Sequence, residues 1–136
     1  MAGNDTTPSY PEQSMRLTIM VVANDLTLLK LLDMALTLEL ACDVLPFASG
    51  RSAQETAKGI APDLVILDEL LVDPPAWKLT EQLHSIPGLE RVPLLIINAA
   101  TAMLSESQSY PLIVLRMRWN MQELYAAASQ LLGGTT

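Results

Sequence analysis

Five short apolar runs, separated by stretches with helical spacing, constrain this chain more than any other feature. The runs are residues 17–22 (LTIMVV), 43–48 (DVLPFA), 63–67 (DLVIL), 92–97 (VPLLII) and 112–115 (LIVL). Such short, continuous apolar segments suit strands covered on both faces. Pro46 interrupts the second run and assigns it to a sheet edge. Between the runs, Leu26–Leu40 (LTLLKLLDMALTLEL) places Leu28, Leu29, Leu32 and Leu36 on one helical face and leaves Leu31, Met34 and Leu38 off it. Residues 52–58 form a short helix, stopped by Gly59. Residues 76–85 form another, with Trp77, Leu79 and Leu83 as anchors and Pro87-Gly88 beyond its end. A short helix fits within residues 99–108. Residues 120–132 form the last helix, with Asn120 as N-cap and Glu123 three residues on, a capping-box spacing.

Strand and helix therefore alternate throughout. That order implies a doubly wound α/β fold: a five-stranded parallel sheet with helices on both faces and right-handed crossovers. Residues 1–15 (MAGNDTTPSYPEQSM) are polar, contain two prolines and read as a flexible tail. The folded domain spans residues 16–132, and residues 133–136 (GGTT) read as a helix stop and a frayed end. The 136 residues suffice for one domain of ordinary size. With one Phe, two Trp and three Tyr, its core must be aliphatic.

Charge and composition exclude several classes of function. Eight Lys and Arg against 15 Asp and Glu give −7, the wrong sign for a nucleic-acid binder or for docking on an anionic membrane. One cysteine, Cys42, excludes an internal disulfide framework or a cysteine-based zinc site. One histidine, His84, excludes a histidine-cluster metal site and reads as a surface or helix-end residue. No apolar run approaches the ~18 residues of a membrane span, and the N-terminus lacks the pattern of a secretory signal. The expected location is the cytoplasm.

Ligands of open α/β sheets bind at the carboxyl ends of the strands. Those ends carry Ala23-Asn24-Asp25, Ser49-Gly50, Asp68-Glu69, Asn98-Ala99 and Arg116-Met117-Arg118. No Gly-x-Gly turn follows the first strand and no Gly/Lys/Ser phosphate loop occurs, which disfavours an ordinary nucleotide enzyme. Asp68 ends the most apolar run. It is either a functional carboxylate, as nucleophile or metal ligand, or a solvated strand terminus.

Three blocks carry a resemblance to a known family. Pro62-Asp63-Leu64-Val65-Ile66-Leu67-Asp68 resembles the third strand of response-regulator receiver (CheY-like) domains, which ends in the phospho-accepting aspartate. Ile86-Pro87-Gly88 followed by residues 92–97 resembles the start of their fourth strand. The leucine-rich helix after Val21-Val22 resembles their first βα unit. The resemblance covers residues 16–132 and implies strand order 2-1-3-4-5 and a role in two-component (phosphorelay) signalling.

The family's phosphoryl chemistry uses an acidic pair that holds Mg²⁺, the nucleophilic aspartate, a Ser or Thr, and a Lys. Cations are required because a carboxylate must approach an anionic phosphoryl group. Carried over, the nucleophile falls on Asp68 and the acidic pair on Ala23 and Asn24, with Asp25 just beyond. Sliding the register by one makes Asn24 and Asp25 the pair. The Ser/Thr position falls on Asn98, the Lys on Met117, the Pro after it on Arg118, and the aromatic switch on Val114. Strand alternation directs Arg116 and Arg118 away from Met117.

The resemblance thus implies a degenerate receiver: a protein-interaction module and not an enzyme. No cofactor is expected, and any Mg²⁺ held by Asp68 and Asn24 would be bound weakly. No output domain follows in this sequence, so the expected partners are a histidine kinase, a separate output protein, or another copy in a homodimer. Two alternatives stay open: a phospho-accepting receiver using Asp68 with weakened metal binding, and a small α/β enzyme or ligand-binding domain.

Overall fold

A computed structural model of the chain describes residues 16–100 and 109–133. Among the described residues, nine elements follow in order: β1 (Thr18–Val22), α1 (Leu26–Leu40), β2 (Asp43–Phe47), α2 (Gly50–Ile60), β3 (Leu64–Asp68), α3 (Ala76–His84), β4 (Leu94–Ala99), β5 (Leu112–Arg116) and α4 (Met121–Leu131). The strands form one all-parallel sheet in the order β2-β1-β3-β4-β5. Pro46 does sit on an edge strand. The short helix expected within residues 99–108 falls mostly outside the described residues, and Ala99 itself is the last residue of β4. The tails at 1–15 and 134–136 also lie outside them.

The period of two along each strand divides the core into two layers. Met20, Val22, Val65, Leu67, Leu94 and Ile96 pack with Ala53 and Ala57 of α2 and Leu79 and Leu83 of α3. Ile19, Val21, Leu64, Ile66, Leu95 and Ile97 pack with Leu29, Leu32 and Leu36 of α1 and Leu124, Ala127 and Ala128 of α4. Every residue of β3 is buried. This explains why its sequence reads as an unbroken apolar run up to Asp68.

The helix ends follow local chemistry, with two departures from the sequence reading. Asp25, Ser49 and Asn120 cap α1, α2 and α4 through their side chains, and Asn120 with Glu123 completes the capping box. Gly59 does not stop α2. The helix runs on to Ile60 and ends at Ala61, whose φ of 55° is left-handed; Pro62 disfavours helical backbone at the residue before it, so the stop comes from there. Trp77 is not a core anchor. The inward line of α3 is Ala76, Leu79 and Leu83, which turns Trp77 outward at 65% exposure. His84 ends α3 with Nε2 3.0 Å from the Val92 carbonyl and its ring against Tyr110. Burial pushes the Tyr110 hydroxyl above its ordinary 10.0.

Candidate functional site

The parallel register brings the carboxyl ends of β1, β3 and β4 together. Val22 is level with Leu67, and Asp68 with Ile97. Asp68 is therefore followed across the sheet by Asn98, and Ala23 and Asn24 lie on the other side. Asp68 is only 4% exposed and is the one buried charged residue among those described. A buried carboxylate requires hydrogen-bond donors. Oδ1 accepts from the Leu70 backbone N–H at 2.9 Å and from Asn98 Nδ2 at 3.1 Å. The first bond is the side-chain turn that aspartate commonly makes with the residue two positions on.

Asn98 reaches Asp68 because of a local irregularity. The β4–β5 register shifts between Ile96 and Ala99, and Asn98 has φ of +61°. Asparagine tolerates that left-handed conformation better than most residues. The other end of its amide is also engaged, since Trp119 Nε1 donates to Asn98 Oδ1 at 2.9 Å. An indole N–H can only donate, so this bond requires oxygen at that end of the amide and leaves the NH₂ facing Asp68. The result is a chain of neutral donors, Trp119 to Asn98 to Asp68, running from the β5–α4 connection to the centre of the sheet edge.

The two residues at the acidic-pair position serve the scaffold. Ala23 is fully buried and extends the β1–β2 ladder, its N–H bonding the Phe47 carbonyl at 3.1 Å. Asn24 ties two loops together: Nδ2 donates to the Ala48 carbonyl at 2.9 Å, and Oδ1 accepts from the Val72 N–H at 2.9 Å. Asp25 Oδ1 accepts from the Thr27 and Leu28 N–H groups as the α1 cap. Met117 is 49% exposed and follows the end of β5, where its N–H bonds the Ala99 carbonyl. Strand alternation ends at Arg116: Met117 and Arg118 lie in the following turn, with Arg118 at φ +72°, so the alternation expected for the two arginines does not apply to Arg118. Val114, at the switch position, is half-buried against the core. The one ion pair among the described residues, Arg16 with Asp43, lies at the amino end of the sheet, far from Asp68.

Sequence reasoning singled out Asp68, Asn24 and Asn98, and the fold brings these three to one edge. It did not identify the role of Trp119. The available signal was its single polar atom: a tryptophan next to a strand end usually finds a partner for its N–H.

No protein-family model and no curated protein matches the sequence. Solved structures do. A response regulator receiver protein from Sinorhizobium medicae is 27% identical, with 88% of this chain and 97% of that one covered at a TM-score of 0.70. A response regulator receiver domain protein from Bacillus halodurans is 22% identical over 86% of this chain and 97% of that one, with a TM-score of 0.73. The receiver domain of a sensor histidine kinase from Pseudomonas aeruginosa is 18% identical over 87% and 98% of the two chains, with a TM-score of 0.70, and holds a magnesium ion in its active-site cleft. The fold of this chain is the receiver fold.

A magnesium ion is the group that this fold implies. Mg²⁺ demands near-octahedral oxygen ligands, normally one or two carboxylates with waters and substrate oxygens. The described residues contain no group of three or more His, Cys, Asp or Glu arranged to hold a metal. The Asn24 oxygen already accepts a backbone N–H, and Asp25 is engaged as a helix cap.

Proposed function

We propose that this chain is a degenerate receiver domain of two-component signalling that acts as a protein-interaction module, without a proper Mg²⁺ site. The observation that carries this reading is the chain of neutral donors at Asp68. An amide held by an indole stands where the family has a hydroxyl, and the lysine position is Met117. Neither group supplies the positive charge that an incoming phosphoryl group requires. Asn24, tied to Ala48 and Val72, supports the same reading, because it braces the pocket from within. The domain would then present one standing surface to a histidine kinase, to an output protein or to another copy in the cytoplasm, and it would not be an enzyme.

The test is a Phos-tag gel after incubation with acetyl phosphate and Mg²⁺. No shifted band is expected. A shifted band that disappears in Asp68→Asn would overturn the reading and establish the alternative, a phospho-accepting receiver with weakened metal binding. One observation favours that alternative: both hydrogen bonds to Asp68 among the described residues fall on Oδ1, so Oδ2 carries none of them.

A further inference from the structure

Asp68 carries a charge that no basic side chain of this protein answers. It is 4% exposed, and the hydrogen bonds it accepts from the described residues are neutral and fall on Oδ1. Oδ2 receives none of them. All eight Lys and Arg of the chain lie among the described residues. The one ion pair there joins Arg16 to Asp43, so none of the eight is paired with Asp68. A buried carboxylate is costly without a cation beside it. A cation brought by another molecule meets that need.

The surface next to Asp68 indicates what carries the cation. Leu70 and Val72, in the β3–α3 connection, are 57% and 63% exposed, and Leu26, at the start of α1, is 67% exposed. The Asn24 amide bonds the Ala48 carbonyl and the Val72 N–H. It therefore ties the loop after β1 to the loop after β3 and steadies this apolar rim. Glu69 and Asp73 flank Leu70 and Val72 in sequence and are exposed as well. Arg116 and Arg118 come at and after the end of β5, two strands from β3, a separation of about 10 Å. The rim over β1 and β3 is thus apolar and acidic. At −7, the chain as a whole also attracts a basic partner.

An apolar stem with a cationic tip matches such a site. Of the two long cations, lysine suits it better. An arginine fork pairs with both oxygens of a carboxylate, and here Oδ1 already accepts two hydrogen bonds. A lysine ammonium is a compact charge that needs one oxygen. We propose that Asp68 is the receptor for a lysine side chain of a partner protein, whose ammonium reaches Oδ2 while apolar residues beside that lysine lie on Leu26, Leu70 and Val72. The partner then supplies the charge that Met117 does not. The proposal rests on the reading of the Asp68 pocket as one without its own metal ion.

NMR titration of the full chain with three acetylated, amidated tripeptides tests this: Leu-Lys-Leu, Leu-Arg-Leu and Leu-norleucine-Leu. The readouts are the Asn98 side-chain amide and the Trp119 indole N–H, both in the chain of bonds that ends at Asp68. The exposed Trp77 indole is the control. The lysine peptide is expected to shift the first two saturably and to bind about tenfold or more tighter than the norleucine peptide, with the arginine peptide between them. Asp68→Asn should abolish that preference, and Glu69→Gln combined with Asp73→Asn should leave it in place. Val72→Ser should weaken all three peptides together. Circular dichroism establishes that each variant is folded. Equal binding of the lysine and norleucine peptides, or no binding of any, overturns the proposal. So does a lysine preference that survives Asp68→Asn and is lost with Glu69 and Asp73. An arginine peptide as tight as the lysine one overturns the choice of lysine. Saturable shifts from Mg²⁺ alone overturn the proposal together with the reading beneath it. Peptide failure with no Mg²⁺ shift and no Phos-tag band overturns the proposal alone.

Discussion

Helices α1 and α2 sit on opposite faces of the same sheet and solve the packing problem in opposite ways. Helix α1 turns leucines inward (Leu29, Leu32, Leu36) and α2 turns Gly50, Ala53 and Ala57 inward. Small residues let α2 lie close. A Cβ on Gly50 would come within 3.1 Å of Pro74 Cδ and 3.2 Å of Leu79 Cδ2, so α2 is fitted tightly against the Pro74 loop and α3. The outward sides differ too, polar on α2 and apolar on α1. Inward residues set how near a helix lies to the sheet, and outward residues set whether anything else is needed to cover it.

Substitutions can break or sharpen that contrast. The largest effect is expected from Leu36→Ala, which empties a fully buried site and should cost about 2–5 kcal/mol in urea unfolding. Ala53→Leu probes the other helix. It overfills a site with no exposed surface and should cost about 1–3 kcal/mol in the same assay. Cys42, just past the end of α1, gives a pH signature. Burial pushes its thiol above the ordinary 9.0, Arg16 works in the opposite sense, and Asp43 and Asp63 add to the rise. The folded state therefore resists ionisation of the thiol more than the unfolded state does. The associated stability is fully present below pH 9 and is lost as pH rises from there through the folded-state value. The stability difference between wild type and Cys42→Ala should be constant below pH 9 and change only in that alkaline window. The smallest effect is expected from Leu38→Ser. In dilute protein it should alter stability by no more than ~0.5 kcal/mol, and a larger loss would mean that the outer stripe already belongs to the monomer's own packing.

The sheet was legible because its strands are covered on both faces, and covering on both faces leaves an unbroken apolar run as its trace. Asp68 was legible as the residue at which the most apolar of those runs ends. The second edge was legible through Pro46. The bracing around Asp68 was less so. Asn24 and Asn98 stood out as departures from a family pattern, but what holds them is set by partners up to 48 residues away, Val72 for Asn24, and by Trp119 for Asn98. Such contacts leave no periodicity. The left-handed backbone of Asn98 and the shift in the β4–β5 register are likewise products of strand pairing, which local spacing does not record. The end of α2 was misplaced because Gly59 marks a helix stop only when the backbone turns there, and Pro62 moved the turn two residues on.

Pro46 has one further consequence. It lies in β2, the outermost strand on its side, level with Val21. An open strand edge is a template on which a second sheet can extend, and repeated extension produces a filament of no fixed length. A residue without an amide hydrogen removes a rung from that template. At this edge the molecule is discouraged from open-ended growth.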